Sequence, residues 1–394
     1  MASIPIPRRY RTVVYIPSRS DGCMLEVLLS IPTNTTSQPL GYTGVVISHP
    51  YGPLGGSYNN NVVGALLQWF ETCSLHTAGE DLASNTPSSP SKKNSGSSNL
   101  RQHNTDDDGS ASNADSAWVL LKPSKKSSKD QAIPLSCVIC AFNFRGCGKS
   151  KGRTSWFGEA EREDYQTIID VLQSGSHTGS SHLQSRGPRD PGASTSPVWS
   201  GKAYDETGRE IDLPRIPFLS RFILCGYSYG GMIASTIPPP FRNPSDPTSK
   251  QLPTSYVLIS YPAGVAWFLV SGSQGSFSKR ARAILLGETD LSVSSSHNHL
   301  ETELIKNGKR QPIEAYFITG SEDQFTAPKT LLNWLKTNTG LNPPKRLATC
   351  GSWASKRPDG AIHLDVVEGV DHFWLDREQL LLERLQSWWS EVHQ

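Results

Sequence analysis

A serine flanked by two glycines is the pattern in this chain that most directly indicates chemistry. Residues 226–230 read Gly-Tyr-Ser-Tyr-Gly and place Ser228 at the centre. The apolar run 221–225 before it predicts a buried strand, and residues 231–235 after it can begin a helix. A sharp turn between a strand and a helix lifts a serine hydroxyl clear of the sheet, so Ser228 is the candidate nucleophile. A purely structural turn is the alternative.

A serine hydroxyl needs a base to take its proton, and that base needs a carboxylate to orient it. Two later apolar runs, 313–320 and 362–368, are followed by loops that supply both groups: Asp323 and His372. The carboxyl ends of parallel strands meet at one edge of a sheet, where such sites assemble. The sequence therefore predicts a catalytic triad of Ser228, Asp323 and His372.

Other acids and histidines compete for these roles. Glu322 adjoins Asp323 and remains an alternative acid. Asp371 adjoins His372, but neighbouring residues rarely present their side chains to each other. His363 lies at the start of the last predicted strand and is expected to be structural.

The oxyanion that forms during acyl transfer needs two N–H donors. One is expected from the backbone of Tyr229, directly after the nucleophile. The other is expected from the loop 49–56, which follows an apolar strand. Its two prolines have no N–H to donate, which leaves Tyr51, the favoured donor, or Gly52. A Gly/Pro turn without this role is the alternative.

Alternating strands and helices must position these residues. The predicted strands have continuous apolar centres, as in strands covered on both faces, and lie at 11–16, 24–31, 43–48, 137–143, 221–226, 255–261, 313–320 and 362–368. The predicted helices lie between them at 59–72, 159–172, 327–337 and 377–389. This alternation predicts an α/β fold: a mostly parallel eight-stranded sheet with helices on both faces and an antiparallel N-terminal hairpin.

Polar segments interrupt this pattern. Residues at about 76–132 and 173–214 have too few large apolar side chains to offset the entropy of ordering, and shorter loops are expected at about 286–310 and 342–360. Without them, a normal length for one domain remains. We therefore predict a single domain, 1–394, that carries these insertions.

Composition excludes several classes. The formal net charge of +2 gives no support for nucleic-acid binding. No segment approaches the length of about 20 apolar residues that a membrane span needs. The seven cysteines are irregularly spaced, and Cys137 and Cys140 should point to opposite faces of one strand. A reducing compartment, and hence a cytoplasmic location, is the simplest prediction.

Four motifs in order give the chain a family resemblance. The first motif, at 49–56, begins with His49-Pro50 and ends with two glycines. The others are residues 143–150 (Asn-Phe-Arg-Gly-Cys-Gly-Lys-Ser), 226–231 and 369–373. Together they resemble small α/β-hydrolases, in particular compact serine hydrolases near the dienelactone hydrolase and serine aminopeptidase-like groups. The resemblance implies the α/β-hydrolase fold and a hydrolytic triad. Pro50 stands where many relatives have glycine, and members act on esters, thioesters, lactones and amides.

These residues indicate a hydrolase that cleaves a carboxylic ester or related acyl bond in a small-molecule substrate through an acyl-enzyme. The chemistry requires no metal or organic cofactor. An aminopeptidase-like peptidase is an alternative, for which the acidic stretch 159–164 could bind a free amine. A non-catalytic binding protein on the same fold is another. The apolar segment 261–270 could line an acyl pocket or form a buried loop and helix.

Overall fold

The computed structural model describes residues 9–33, 41–73, 137–177, 202–243, 249–287, 312–358 and 360–393. The predicted insertion at 76–132 and most of the loop at 286–310 lie outside these ranges.

Eleven strands in the described part form one sheet. They are β1 Arg9–Pro17, β2 Met24–Pro32, β3 Tyr42–Ser48, β4 Cys137–Phe142, β5 Ala203–Tyr204, β6 Glu210–Ile211, β7 Leu219–Tyr227, β8 Thr254–Ile259, β9 Ile313–Gly320, β10 Gly351–Arg357 and β11 Gly360–Val367. Their spatial order is β10-β11-β9-β8-β7-β3-β4-β2-β1-β5-β6. The six strands from β11 to β4 pair in parallel, and the flanking pairs are antiparallel. The predicted mostly parallel sheet with an antiparallel N-terminal hairpin is confirmed.

Helices cover both faces of this sheet. They are α1 Asn61–Cys73, α2 Glu159–His177, α3 Tyr229–Ala234, α4 Ala266–Leu269, α5 Gln274–Leu285, α6 Pro328–Thr339 and α7 Glu378–His393. Helices α1 and α7 bury their apolar residues against one face, and α2, α3, α5 and α6 against the other. Side chains of the central parallel strands alternate between the two cores, so Cys137 and Cys140 lie in different cores, as predicted.

Two segments that we predict as loops contain regular structure. In the range 173–214, α2 continues to His177, and β5 and β6 form a short hairpin whose turn is held by the Asp205 carboxylate, which accepts hydrogen bonds from the N–H groups of Thr207 and Arg209. In the range 342–360, β10 pairs with β11, and residues Lys345–Ala348 form a 3₁₀ turn. The hairpin strands are too short for a periodic signal. Strand β10 is polar because it is an exposed edge strand, so neither carries the apolar pattern that predicts a strand.

Candidate active site

Ser228 stands at the turn between β7 and α3, at the C-terminal edge of the parallel strands. Its backbone has φ 54° and ψ −119°, a sparsely populated conformation that nucleophile turns adopt. A methyl group at Gly226 would lie 2.3 Å from the backbone carbon of Gly230, and one at Gly230 would lie 2.6 Å from the carbonyl oxygen of His49. The two glycines are thus required by close backbone approach, and the turn holds Ser228 at a fixed position.

The structure brings the three predicted catalytic side chains into one hydrogen-bonded chain. The Ser228 hydroxyl oxygen lies 2.9 Å from Nε2 of His372, and Nδ1 of His372 lies 2.8 Å from Oδ2 of Asp323. An ionised carboxylate only accepts hydrogen bonds, so Nδ1 carries the ring proton and Nε2 accepts from the serine hydroxyl. All three residues are buried, which keeps water away from the chain of hydrogen bonds.

Backbone groups fix the orientation of the acid. Oδ1 of Asp323 accepts hydrogen bonds from the N–H groups of Phe325 (2.9 Å) and Thr326 (2.8 Å), which leaves Oδ2 for the imidazole. The loop begins at Gly320, where a methyl group would lie 1.9 Å from the carbonyl oxygen of Val370. That close contact holds the acid-bearing loop against the histidine-bearing loop.

The histidine loop is held by residues that the sequence analysis did not single out. The Tyr227 hydroxyl donates to the backbone carbonyl of His372 at 2.8 Å, and the Gln324 side chain accepts from its N–H at 3.2 Å. The Trp374 indole donates to the Ser260 hydroxyl at 2.9 Å. Tyr227 lies next to the nucleophile in sequence, but nothing in the sequence pattern shows that its side chain reaches the histidine loop.

The residues that compete for the roles of acid and base make contacts outside the triad. Glu322 is exposed, and within the described part of the chain only its backbone N–H makes a hydrogen bond, to the carbonyl of Val370. Asp371 accepts from the N–H groups of Phe373 and Trp374 and so shapes its own loop. His363 is buried in β11, with its Nε2 3.5 Å from a carboxylate oxygen of Glu314.

The two predicted oxyanion donors lie on two segments whose tyrosine rings are in contact. Tyr229 is the first residue of α3, and the Tyr51 ring packs 5.2 Å from its ring. Among the described residues, neither N–H donates to a protein acceptor, so both are free to meet an oxyanion. Gly52 follows Tyr51 in the same loop and also makes no backbone donation in the described part, so it remains an alternative donor.

His49 ties the loop that carries Tyr51 to the loop after β4. Its Nε2 accepts from the N–H of Phe144 at 3.0 Å, and its Nδ1 lies 2.5 Å from the carbonyl oxygen of Pro50. Because Nε2 accepts, Nδ1 carries the proton. Burial lowers the pKa of His49 to about 4. The ring is therefore neutral near pH 7 and holds Tyr51 in register with Ser228.

The motif at 143–150 forms a buried polar support beside this loop. The Arg145 guanidinium binds both carboxylate oxygens of Asp164, at 2.9 and 2.6 Å, and also reaches Asp21 at 2.7 Å. The Asn143 side chain accepts from the N–H of Tyr58 at 2.7 Å and donates to Glu26 at 2.7 Å. These contacts connect the loop after β4 to the loop that carries Tyr51, so the motif acts by positioning.

The acidic stretch at the start of α2 is committed to internal contacts. Glu159 pairs with Arg280, Glu161 is buried and binds Ser155, and Asp164 pairs with Arg145. Glu163 pairs with Arg19, so all four acids of the stretch have a partner within the protein. The observation removes the support for the aminopeptidase-like alternative.

Comparisons with known proteins match the chain to solved structures alone. No protein-family model matches the chain, and no curated relative matches it in sequence. Similar solved structures include an alpha-beta serine hydrolase homologue from Coxiella burnetii (14% identity, TM-score 0.43, 96% of each chain covered) and the Pyrococcus furiosus esterase Pf2001 (12% identity, TM-score 0.42, 97% of this chain and 91% of that chain). Another is Est1E from Butyrivibrio proteoclasticus, solved with ferulic acid bound (9% identity, TM-score 0.46, 96% of this chain and 98% of that chain).

The strand order and the position of Ser228 decide the fold. Eight strands run in the order β1-β2-β4-β3-β7-β8-β9-β11 across the sheet, and the serine turn follows the fifth of them along the chain. The chain has the α/β-hydrolase fold. We take the activity of this α/β-hydrolase-fold protein from the geometry of its site alone, because a fold does not determine a reaction.

Two features of the described residues concern metal ions and membranes. No group of three or more His, Cys, Asp and Glu side chains in that part of the chain is arranged to hold a metal ion. Within the same residues, no helix has the length and apolar character to cross a bilayer.

Proposed function

We propose that this protein is a serine hydrolase that cleaves a carboxylic ester or a related acyl bond in a small-molecule substrate. The observation that carries the proposal is the chain of two hydrogen bonds from Ser228 through His372 to Asp323, at 2.9 and 2.8 Å. Nucleophile, base and orienting acid lie on three different loops at one edge of the sheet, an arrangement that a structural turn does not require.

The proposed reaction has two acyl-transfer steps. The Ser228 oxygen attacks the substrate carbonyl while Nε2 of His372 takes the hydroxyl proton, and the buried Asp323 carboxylate stabilises the imidazolium. The N–H groups of Tyr229 and Tyr51 donate hydrogen bonds to the carbonyl oxygen as negative charge develops on it. The imidazolium then protonates the leaving group. In the second step His372 removes a proton from water, and the water oxygen attacks the acyl carbon. The imidazolium then returns the proton to the Ser228 oxygen as the bond from that oxygen to the acyl carbon breaks and the acid leaves.

We also propose that this protein is located in the cytoplasm. Six of the cysteines, including Cys137 and Cys140, have described side chains that are free thiols. This pattern supports the prediction of a reducing, cytoplasmic environment.

Two measurements test the proposal and narrow the substrate class. A fluorophosphonate probe, which phosphonylates activated serines, should add one adduct to the protein at Ser228. A panel of p-nitrophenyl acetate, a short acyl thioester and an aminoacyl anilide should show turnover of the ester or the thioester. Ser235→Ala is the matched control, because Ser235 is a buried serine that donates only to the carbonyl of Met232 and approaches the Tyr261 hydroxyl. Labelling without turnover of any member would contradict acyl hydrolysis, and turnover of the anilide alone would favour a peptidase.

A further inference from the structure

Exposed apolar side chains lie on the loops at the C-terminal edge of the sheet, the edge at which Ser228 stands. Most of the exposed large apolar side chains in the described part of the chain lie here: Leu54, Trp156, Phe157, Trp267, Phe268 and Phe373, together called the active-site rim. Each belongs to a loop or short helix that follows a parallel strand. The exposed fraction is 72% at Trp156, 69% at Leu54 and 64% at Trp267. Apolar side chains gathered in this way mark an interaction surface.

Ring contacts connect the rim to the catalytic residues on two sides. On one side, the ring of Tyr51 lies 6.3 Å from that of Phe268. On the other side, the ring of Phe325 lies 4.5 Å from the imidazole of His372 and 5.9 Å from the ring of Phe373. Two members of the rim, Phe268 and Phe373, therefore adjoin residues of the active site.

The loop that carries Trp156 and Phe157 packs against the neighbouring helices. A methyl group at Gly158 would lie 2.8 Å from the Phe277 ring and 2.9 Å from a methyl carbon of Val270. The two aromatic side chains are consequently held by a packed backbone while their rings face solvent.

The same loop supplies positive charge. Residues 146–158 contain Lys149, Lys151 and Arg153 and no acid. Lys149 pairs with Glu206 at 2.5 Å. Lys151 and Arg153 are exposed, and neither has an ion-pair partner among the described residues. Two unpaired cations thus stand within a few residues of two exposed aromatic rings.

We propose that the active-site rim docks onto the surface of an anionic lipid bilayer. Tryptophan and phenylalanine rings are stable at the level of lipid headgroups, and lysine and arginine are attracted to anionic lipids. The loop after β4 combines both, whereas the exposed acids Glu322 and Glu368 follow β9 and β11, on the other side of the sheet. Docking in this orientation turns the nucleophile toward acyl groups that are presented at the lipid–water interface. The inference concerns binding and does not depend on the hydrolytic activity.

Vesicle sedimentation tests the docking. The full chain is mixed with vesicles of pure phosphatidylcholine or of equimolar phosphatidylcholine and phosphatidylserine. We expect binding to the mixed vesicles, and a partition coefficient about ten-fold or more lower for Trp156→Ala/Trp267→Ala, which removes two interfacial rings. Lys151→Gln/Arg153→Gln should lower binding by about five-fold for each cation removed and should abolish the preference for phosphatidylserine. Added salt should weaken the binding of the wild type.

The control variant is Tyr10→Ala/Phe218→Ala, which removes exposed aromatic side chains (48% and 47%) at the opposite edge of the sheet. It should bind as the wild type does. Thermal unfolding verifies that each variant folds. Ser228→Ala should also bind fully, so a failure of the proposed hydrolysis leaves the docking test intact. The proposal is overturned if the wild type binds neither vesicle, or if the rim and control variants bind alike. It is equally overturned if the rim variants bind vesicles as the wild type does and lose only turnover of a soluble apolar ester. The active-site rim would then bind substrate and not a bilayer.

Discussion

Acid should destabilise this protein through His49. The buried ring is neutral in the folded state, with its pKa lowered by burial to about 4 from an ordinary value of 6.5. When the pH is below 6.5, His49 of the unfolded chain binds a proton, whereas His49 of the folded chain stays neutral until the pH falls to about 4. The free energy of unfolding therefore keeps its full value above pH 6.5 and is lost as the pH falls from there toward about 4.

The magnitude follows from the difference between the two pKa values. One unit corresponds to about 1.4 kcal/mol, so the full difference is worth about 3 kcal/mol. Between about pH 7.5 and about pH 5, the loss should be about 2 kcal/mol. That is a substantial share of the stability of a typical domain, at about 5–15 kcal/mol.

Urea unfolding at several pH values measures this loss, with His49→Gln as the reference. A glutamine reaches about as far as Nε2 and can accept the Phe144 N–H, but it does not titrate. Other groups with raised pKa values, such as the buried carboxyls of Glu161 and Asp164, remain in both proteins and cancel in the comparison. The wild type should lose about 2 kcal/mol more than His49→Gln over this range. Parallel losses in the two proteins would refute the claim that burial keeps His49 neutral.

Two further predictions concern the acid and the buried arginine. Asp323→Asn should lower kcat for p-nitrophenyl acetate by about 10⁴-fold, because the imidazole loses the partner that sets its tautomer, whereas Glu322→Gln should stay within about three-fold. Equal losses would indicate an effect of the loop, and the reverse order would make Glu322 the acid. Arg145→Met should lower the free energy of unfolding by about 3–5 kcal/mol, since Asp164 is left buried and unpaired. Adding Asp164→Asn should recover part of that loss, and no recovery would contradict the charge argument.

The parallel core of this fold could be predicted from its sequence because buried strands carry a strong signal. Continuous apolar runs located all eight principal strands, as in β3 and β9, whose residues are almost entirely buried. Strand β10 was not predicted, because one edge of it faces solvent and its residues are polar. Pairing with β11 through backbone hydrogen bonds forms this strand, and backbone groups leave no trace in a hydropathy pattern.

The candidate site could be predicted in part. Chain order and strand ends located Ser228, Asp323 and His372, which the structure places in contact. The residues that hold them could not be found in this way. Tyr227, for example, binds the carbonyl of His372, a residue 145 positions away. Contacts of this kind depend on how loops from distant strands meet, and local sequence patterns carry no information about them.

The central claim is that Ser228 is an activated nucleophile, and intact-mass measurement after fluorophosphonate treatment tests it most directly. The wild type and Ser235→Ala should each gain the mass of one probe, and peptide mapping should place it on Ser228. Ser228→Ala should gain none and should lose at least about 10³-fold in kcat for p-nitrophenyl acetate while its unfolding midpoint stays unchanged. A Ser228→Ala protein that still reacts with the probe, or that turns over the ester at the wild-type rate, would contradict the account.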